Sequence, residues 1–329
     1  MKFRISPFWW PLLAATSPLS VPLLSLRAAR FFKVRKQAER LNAERMDAAR
    51  PLDFPALKSM DITVVVEEKT VEGFHGDSGV SYLIRTDLGS LLMDVGFGPE
   101  HPAFPENTSR LGLTMDDADA LLITHLHLDH MGGMTAMDKR TVAVPSDFLT
   151  GPKKPCFVPD ECRAPGFDLR FLDTPAFLTA GLATTGPLAR SLFFRGLTEE
   201  QAVVGRLEGK GLVVLTGCGH PTIEVILKMV RRLSAEPIYA IGGGLHFPIT
   251  KSRSARLGLE VQRIFGTGKP FWDPINDEDL TRTIQALNEA APKRLFLSGH
   301  DTCDHALDRL SREVDAKVEV FQAGRTYTM

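Results

Sequence analysis

The sequence predicts an α/β protein preceded by an N-terminal extension, and three observations lead there. Short apolar runs bounded by turn residues alternate with stretches of helical apolar period. A dense cluster of potential metal ligands follows one of these runs directly. The first fifty residues also stand apart, with ten Lys/Arg against three Asp/Glu, a net +7 where the whole chain is −1.

Strands are expected at 62–67, 81–86, 90–94, 121–124, 142–144, 202–207, 212–216, 238–241, 294–298 and 317–321. Glu208 to Gly211 reads as a hairpin turn between two of them. Helices are expected at 221–235, 276–291 and 303–313. The first begins at Pro221 and repeats Ile223, Ile226, Leu227, Val230 and Leu233, with Glu224 and Lys228 four apart on its other face. Asn276 is placed to cap the second.

Residues 125–130 read His125-Leu126-His127-Leu128-Asp129-His130, followed by Met131-Gly132-Gly133. The apolar run Ala120 to Ile123 precedes them, so the cluster leaves a buried strand on the kind of loop that carries function. Imidazole suits zinc and other borderline metals, and a carboxylate adds charge and tolerates a harder ion. Alternate residues of an extended loop face one way, so His125 and His127 can share an ion. Asp129 and His130 then fall at the turn, within reach of a second. The surroundings supply further candidates: Asp94 in Ser90 to Gly96, Cys218 and His220 in Leu215 to Pro221, His246 in Ile241 to Phe247, and His300 in Arg294 to Cys303.

The first loop resembles the H-x-H-x-D-H motif of the metallo-β-lactamase superfamily. The segments Thr185 to Arg190, Leu215 to Pro221 and Ile241 to Phe247 look like its dihydropterin-methyl-ribofuranosylaminobenzene-phosphate synthase-like branch of metal-dependent hydrolases. The resemblance runs from about Asp61 to the C-terminus. It implies an αββα sandwich with a dinuclear centre, His125, His127 and His220 on one ion and Asp129, His130 and His300 on the other. Asp94 would organise the metal loop from behind. Related enzymes carry a bridging Asp at the position of Cys218, so a bridging thiolate and a buried small apolar side chain are both open readings there. His246 follows three glycines, where it contacts substrate or metal or merely completes a turn. His305 falls in a helix and is expected at the surface or behind the ligands.

Two divalent ions are expected, zinc first, with manganese and iron open. A water between two cations about 3.5–4 Å apart becomes a nucleophile near neutral pH. Asp129 would orient it and take its proton. The reading is therefore a hydrolase acting on a small-molecule phosphoester, lactone or related ester. Two alternatives stand beside it: a mononuclear iron oxidoreductase of the same fold, acting for example on a persulfide, and a non-catalytic scaffold stabilised by metal.

The domain division places an apolar and basic extension at 1–55 and the catalytic domain at 56–329. Lid loops are expected at about 145–180 and 247–275, both rich in Pro, Gly and aromatics. Phe148, Phe157, Phe167, Phe265, Phe271 and Trp272 would line a substrate pocket or pack on the core. Arg190 and Lys153 are candidates for an anionic substrate group. The near-neutral charge and the lack of a nucleic-acid motif argue against nucleic-acid binding. Four cysteines, two of them in site segments, fit a reducing, cytoplasmic setting better than a disulfide framework, although Cys156 and Cys162 flank one loop. In the extension, Pro7, Pro11, Pro18 and Pro22 interrupt the apolar stretch 5–26, which fits a membrane-spanning helix poorly. Its aromatic and basic residues would suit peripheral contact with an anionic membrane through residues 1–45. The favoured reading is an arm, helical from Arg27 to Arg45, packed on its own catalytic domain or on a second subunit of a homo-oligomer.

Overall fold

The computed structural model describes residues 9–250, 255–256 and 259–329. Helix α1 (Trp10–Ala48) leads into β1 (Ala56–Leu57), β2 (Met60–Val66), β3 (Ser81–Thr86) and β4 (Gly89–Met93). Next come α2 (Ala103–Leu111), β5 (Ala120–Leu122) and two short helices, α3 (Leu128–Met131) and α4 (Met134–Asp138). A succession of strands follows: β6 (Pro155–Val158), β7 (Asp168–Phe171), β8 (Ala176–Phe177), β9 (Ala183–Thr184), β10 (Leu188–Leu192), β11 (Gly196–Glu200), β12 (Val203–Leu207) and β13 (Gly211–Leu215). Then come α5 (Ile223–Leu233), β14 (Ile238–Gly243), β15 (Ala255–Arg256), β16 (Leu259–Glu260) and α6 (Val261–Phe265). The chain closes with α7 (Asp277–Ala290), β17 (Arg294–Leu297), α8 (Asp304–Glu313), β18 (Lys317–Val320) and β19 (Thr326–Thr328).

The strands form two main sheets, ordered β19-β2-β3-β4-β5-β6-β7 and β18-β17-β14-β13-β12-β9-β8, with β1 paired to β12. Ile62, Tyr82, Met93 and Leu122 of one sheet meet Val213, Ala240 and Phe296 of the other in a shared core. Outside the second sheet, Ile226, Leu280 and Leu310 of α5, α7 and α8 pack on Val214, Ile241 and Leu295. Outside the first, Phe104 and Met131 pack with Leu83, Leu92 and Leu121. The layers therefore run αββα. Both faces of β13 are covered, which is why its sequence is a continuous apolar run rather than an alternation. The pairs β4–β5, β13–β14 and β14–β17 are parallel, so the loops leaving their C-terminal ends emerge along one edge. That edge carries the site.

From Trp10 to Ala48 the extension is a single helix, longer than its proline content predicts, and it runs through Pro18 and Pro22. Pro18 has no N–H to offer the Ala14 carbonyl. The Ser17 hydroxyl donates to that oxygen instead, at 2.8 Å. From Arg27 onward the helix is docked on the β10–β11 hairpin. The Asn42 amide donates to the Ala189 carbonyl at 2.9 Å and accepts from the Ala189 N–H at 2.7 Å, as a neighbouring strand would. Arg45 pairs with Glu199, the Ser191 hydroxyl donates to the Phe31 carbonyl, and Arg27 donates to the Phe193 and Phe194 carbonyls. Trp10, Leu19, Val21, Leu23 and Leu26, in the leading half, are exposed. Among the described residues no helix is long and apolar enough to cross a membrane.

Asn42→Ala leaves both backbone groups of Ala189 without their partner in a buried place. It is expected to lower unfolding stability by about 1–3 kcal/mol in a denaturant titration. An unchanged midpoint would mean that the helix is held by its aromatic and ionic contacts alone.

Two differences from the sequence reading have physical causes. Residues 142–144 do not form a strand, because the chain there makes one bridge to a loop, between Thr141 and Arg163. The stretch 145–180 is not a structureless lid: β6, β7 and β8 extend both sheets. Pro155 conceals β6 and full exposure removes any alternation from β7. Phe148 and Phe167 are consequently buried in the outer core of the first sheet, and Phe157 packs against the core between the sheets. Cys156 and Cys162 are free. In the stretch 247–275, residues 251–254 and 257–258 lie outside the described residues.

Candidate metal centre

Every candidate ligand leaves the same edge of the sandwich. His125 and His127 follow β5, and Asp129 and His130 lie in α3. Cys218 and His220 follow β13, His246 follows β14, and His300 follows β17. The donor atoms fall into two main groups, His125 with His127 and His220, and Asp129 with His130, Cys218 and His300. Within each group they lie within 4.8 Å of one another. A further set joins Cys218 and His220 to His246. The thiol of Cys218 lies 3.1 Å from Nε2 of His130 and 3.3 Å from Nε2 of His300, and it shares the further set with His220 of the first group. His125, His130, Cys218, His220 and His300 are buried, whereas His127 and Asp129 are half-buried and form the open side.

The donors suit metal ions. Nε2 of His125, Nδ1 of His220, both ring nitrogens of His246 and Oδ2 of Asp301 are buried with no hydrogen-bond partner. Burial and neighbouring imidazoles hold His125 and His220 well below the usual histidine range. Burial, aided by Arg195, lowers His127 to about 3. These rings are neutral at pH 7 and keep a lone pair to donate. Burial works against an ionised Asp129, yet His130, His300 and His127 hold its carboxyl below the ordinary range.

Three of the candidate ligand loops, those after β5, β13 and β17, are each held from behind by one buried carboxylate. Asp94 follows β4 with φ of 60° and accepts from the Thr124 N–H and hydroxyl, both at 2.7 Å, and from Nδ1 of His130 at 2.7 Å. Nδ1 of His125 in turn donates to Thr124 Oγ1 at 3.1 Å. The result turns Nε2 of both rings toward the site. Glu67, just past β2, repeats the device for the last loop. It accepts from the Ser298 hydroxyl at 2.5 Å, the N–H groups of Gly299 and His300, and the Tyr82 hydroxyl. Nδ1 of His300 donates to Ser298 Oγ. Glu200, ending β11, accepts from the N–H groups of Gly217, Gly219 and His220 at 2.7–3.0 Å and so shapes the Cys218–His220 turn. Burial outweighs these bonds and pushes Glu67 and Glu200 up to about 7.

The sequence reading assigned no role to Glu67, Glu200, Thr124, Ser298 or Asp301. A faint signal existed: an acid ending an apolar strand at Glu67, and a hydroxyl one or two residues ahead of a histidine at Thr124 and Ser298. His246 sits against His220, with ring centroids 4.7 Å apart, and its Nδ1 is 3.5 Å from Asp301 Oδ2. His305 lies at the surface, paired with Asp277 at 2.6 Å. A cleft of about 550 Å³ opens beside the centre. His220, His246, Arg190 and Trp272 line it, while Lys153 does not.

The family model of the metallo-beta-lactamase superfamily matches residues 76–146, which include Asp94 and the first four donors. Among curated proteins, the 7,8-dihydropterin-6-methyl-4-(beta-D-ribofuranosyl)-aminobenzene-5'-phosphate synthase of Methanocaldococcus jannaschii is 20% identical over 290 residues, 77% of this chain and 90% of that protein. The transcription termination factor FttA of Cenarchaeum symbiosum is 40% identical over 76 residues, but those span only 12% of that protein. In fold, the chain is similar to Tm1679, described as a metal-dependent hydrolase of the beta-lactamase superfamily. The TM-score is 0.57 at 21% identity, covering 82% of this chain and 98% of that one.

Proposed function

We propose that this protein is a hydrolase that works with two divalent cations, zinc foremost, on a phosphoester, lactone or related ester of a small molecule. The observation that carries the reading is the pair of donor groups, one of three residues and one of four, each with its ligand atoms within 4.8 Å of one another. One group would be held by His125, His127 and His220, the other by Asp129, His130 and His300, with Cys218 able to serve both. When bound, such cations supply Lewis acidity and a lowered water pKa.

The chain's own residues do the rest. Asp129, on the open side and ionised, accepts a proton from water or substrate. Its neighbours His130 and His300 keep it charged. Asp94, Glu67 and Glu200 fix the three ligand loops, so the donors need not reorganise. His246 borders both the centre and the cleft, where it touches the part of the substrate nearest the reacting bond. The phosphoester option draws on the archaeal relative, whose name carries a phosphate.

Elemental analysis of the purified chain tests this first. About two zinc or manganese ions per chain is the expected result. About one iron would replace the reading with the mononuclear oxidoreductase. A metal-free yet folded chain would leave neither.

A further inference from the structure

The cleft continues from His220 and His246 to a cationic end. Arg190, on β10, and Arg35, on α1, both line it. The Arg190 side chain has no ion-pair or hydrogen-bond partner among the described residues. The acids of the same cleft are engaged elsewhere. Glu224 accepts from the Thr283 hydroxyl at 2.7 Å, and Asp279 is held by Lys269 at 3.0 Å and by Arg282. Lys269 also reaches Asp273, and Arg35 contacts Glu39 on its own helix at 3.1 Å. Arg190 is thus the cation of the cleft left over for something else.

The loop above it is cut to leave that space. A side chain at Gly266 would collide with the His246 ring, and one at Gly268 would collide with the Arg190 guanidinium. Glycine at both positions lets the segment cross directly over the two groups. Burial in the cleft, and after it the nearby charge of Arg35, lower the Arg190 pKa from its usual value against the opposing pull of Glu224, Asp279 and Glu39, none of which is within ion-pair distance of the guanidinium. A guanidinium fork of this kind is suited to bidentate contact with an oxyanion.

We propose that Arg190, assisted by Arg35 of α1, forms an oxyanion-binding subsite, and that the substrate carries a phosphate-like or carboxylate group remote from the bond that is cleaved. The subsite's meaning for turnover rests on the hydrolase reading, but its existence does not. The helix that precedes the catalytic domain is then part of the substrate site.

The test is calorimetric titration of the purified full-length protein with inorganic phosphate and, separately, with acetate. Arg190→Gln is expected to weaken binding of the preferred anion about tenfold or more, and Arg35→Gln by a smaller factor. Lys153→Gln, an equal charge change outside the cleft, is expected to leave it unchanged. Tighter phosphate than acetate binding assigns a phosphate-like group, and the reverse assigns a carboxylate. Gly268→Ala supplies an independent arm, because its methyl displaces the guanidinium without removing charge, and it is expected to reproduce the loss. Arg35→Gln lies on an exposed helix face, so it reads out even where a β10 substitution lowers stability. Equal anion affinity in wild type, Arg190→Gln and Gly268→Ala would overturn the subsite. Binding that responds to these changes in a chain without turnover would retain the subsite and remove the hydrolase reading.

Discussion

Asp129→Ala is expected to purify as a folded protein with about one equivalent less divalent metal per chain. Its turnover is expected to fall about 10²–10⁴-fold, the range for removing a positioned proton acceptor. Both effects trace to one carboxylate. Asp129 is half-buried on the open side of the centre and belongs to the donor group with His130, Cys218 and His300. The fold should survive because the architectural contact at this position is made by the backbone, where the Asp129 carbonyl accepts from the Val80 N–H at 3.2 Å. Metal content and a thermal melt on the same preparation separate the outcomes. Full turnover in the variant would remove Asp129 from the mechanism. A collapsed melting temperature would show that the side chain supports the loop rather than the chemistry.

Glu200→Gln carries the second large effect. The carboxylate accepts three backbone N–H groups from the turn that presents Cys218 and His220. Glutamine retains the shape, but it puts an N–H₂ where one of those donors needs an acceptor, and a buried donor is left unsatisfied. Metal affinity is expected to fall about 10–100-fold, as for other partners behind a ligand shell. Dialysis against graded chelator reads this directly. Glu67→Gln should act in the same way on the His300 loop, so the two variants would deplete the centre from opposite sides. Wild-type metal retention in both would mean that the ligand loops hold their own shape.

The first cluster of candidate donors was legible in the sequence because its four side chains fall within six residues and one strand delivers them all. His220 and His300 were legible for a related reason, each sitting at a strand exit with a turn residue beside it. Glu67 was not, since its meaning depends on Ser298, 231 positions away, and no local pattern announces that pairing. Glu200 is similar, because its partners are main-chain amides that leave no trace in side-chain identity. The strands of 145–180 were hidden by proline and by an exposed edge. The long helix was hidden by Pro18 and Pro22, and Ser17 offsets the cost of the first of them locally. Short-range chemistry shows in a sequence; long-range support shows only in the fold.

The docking of α1 on the β10–β11 hairpin has an evolutionary consequence. The donors and their buried carboxylates lie in the loops of the sandwich, whereas Phe32 and Arg35 enter the cleft from a helix outside it. On the proposed reading, the part of selectivity that Arg35 and Phe32 supply is encoded in a tract of the gene separate from the one that encodes the donors. Drift in the helix can retune which molecules are accepted while the reacting centre stays intact. A lineage with this layout can diversify its substrates without passing through inactive ancestors.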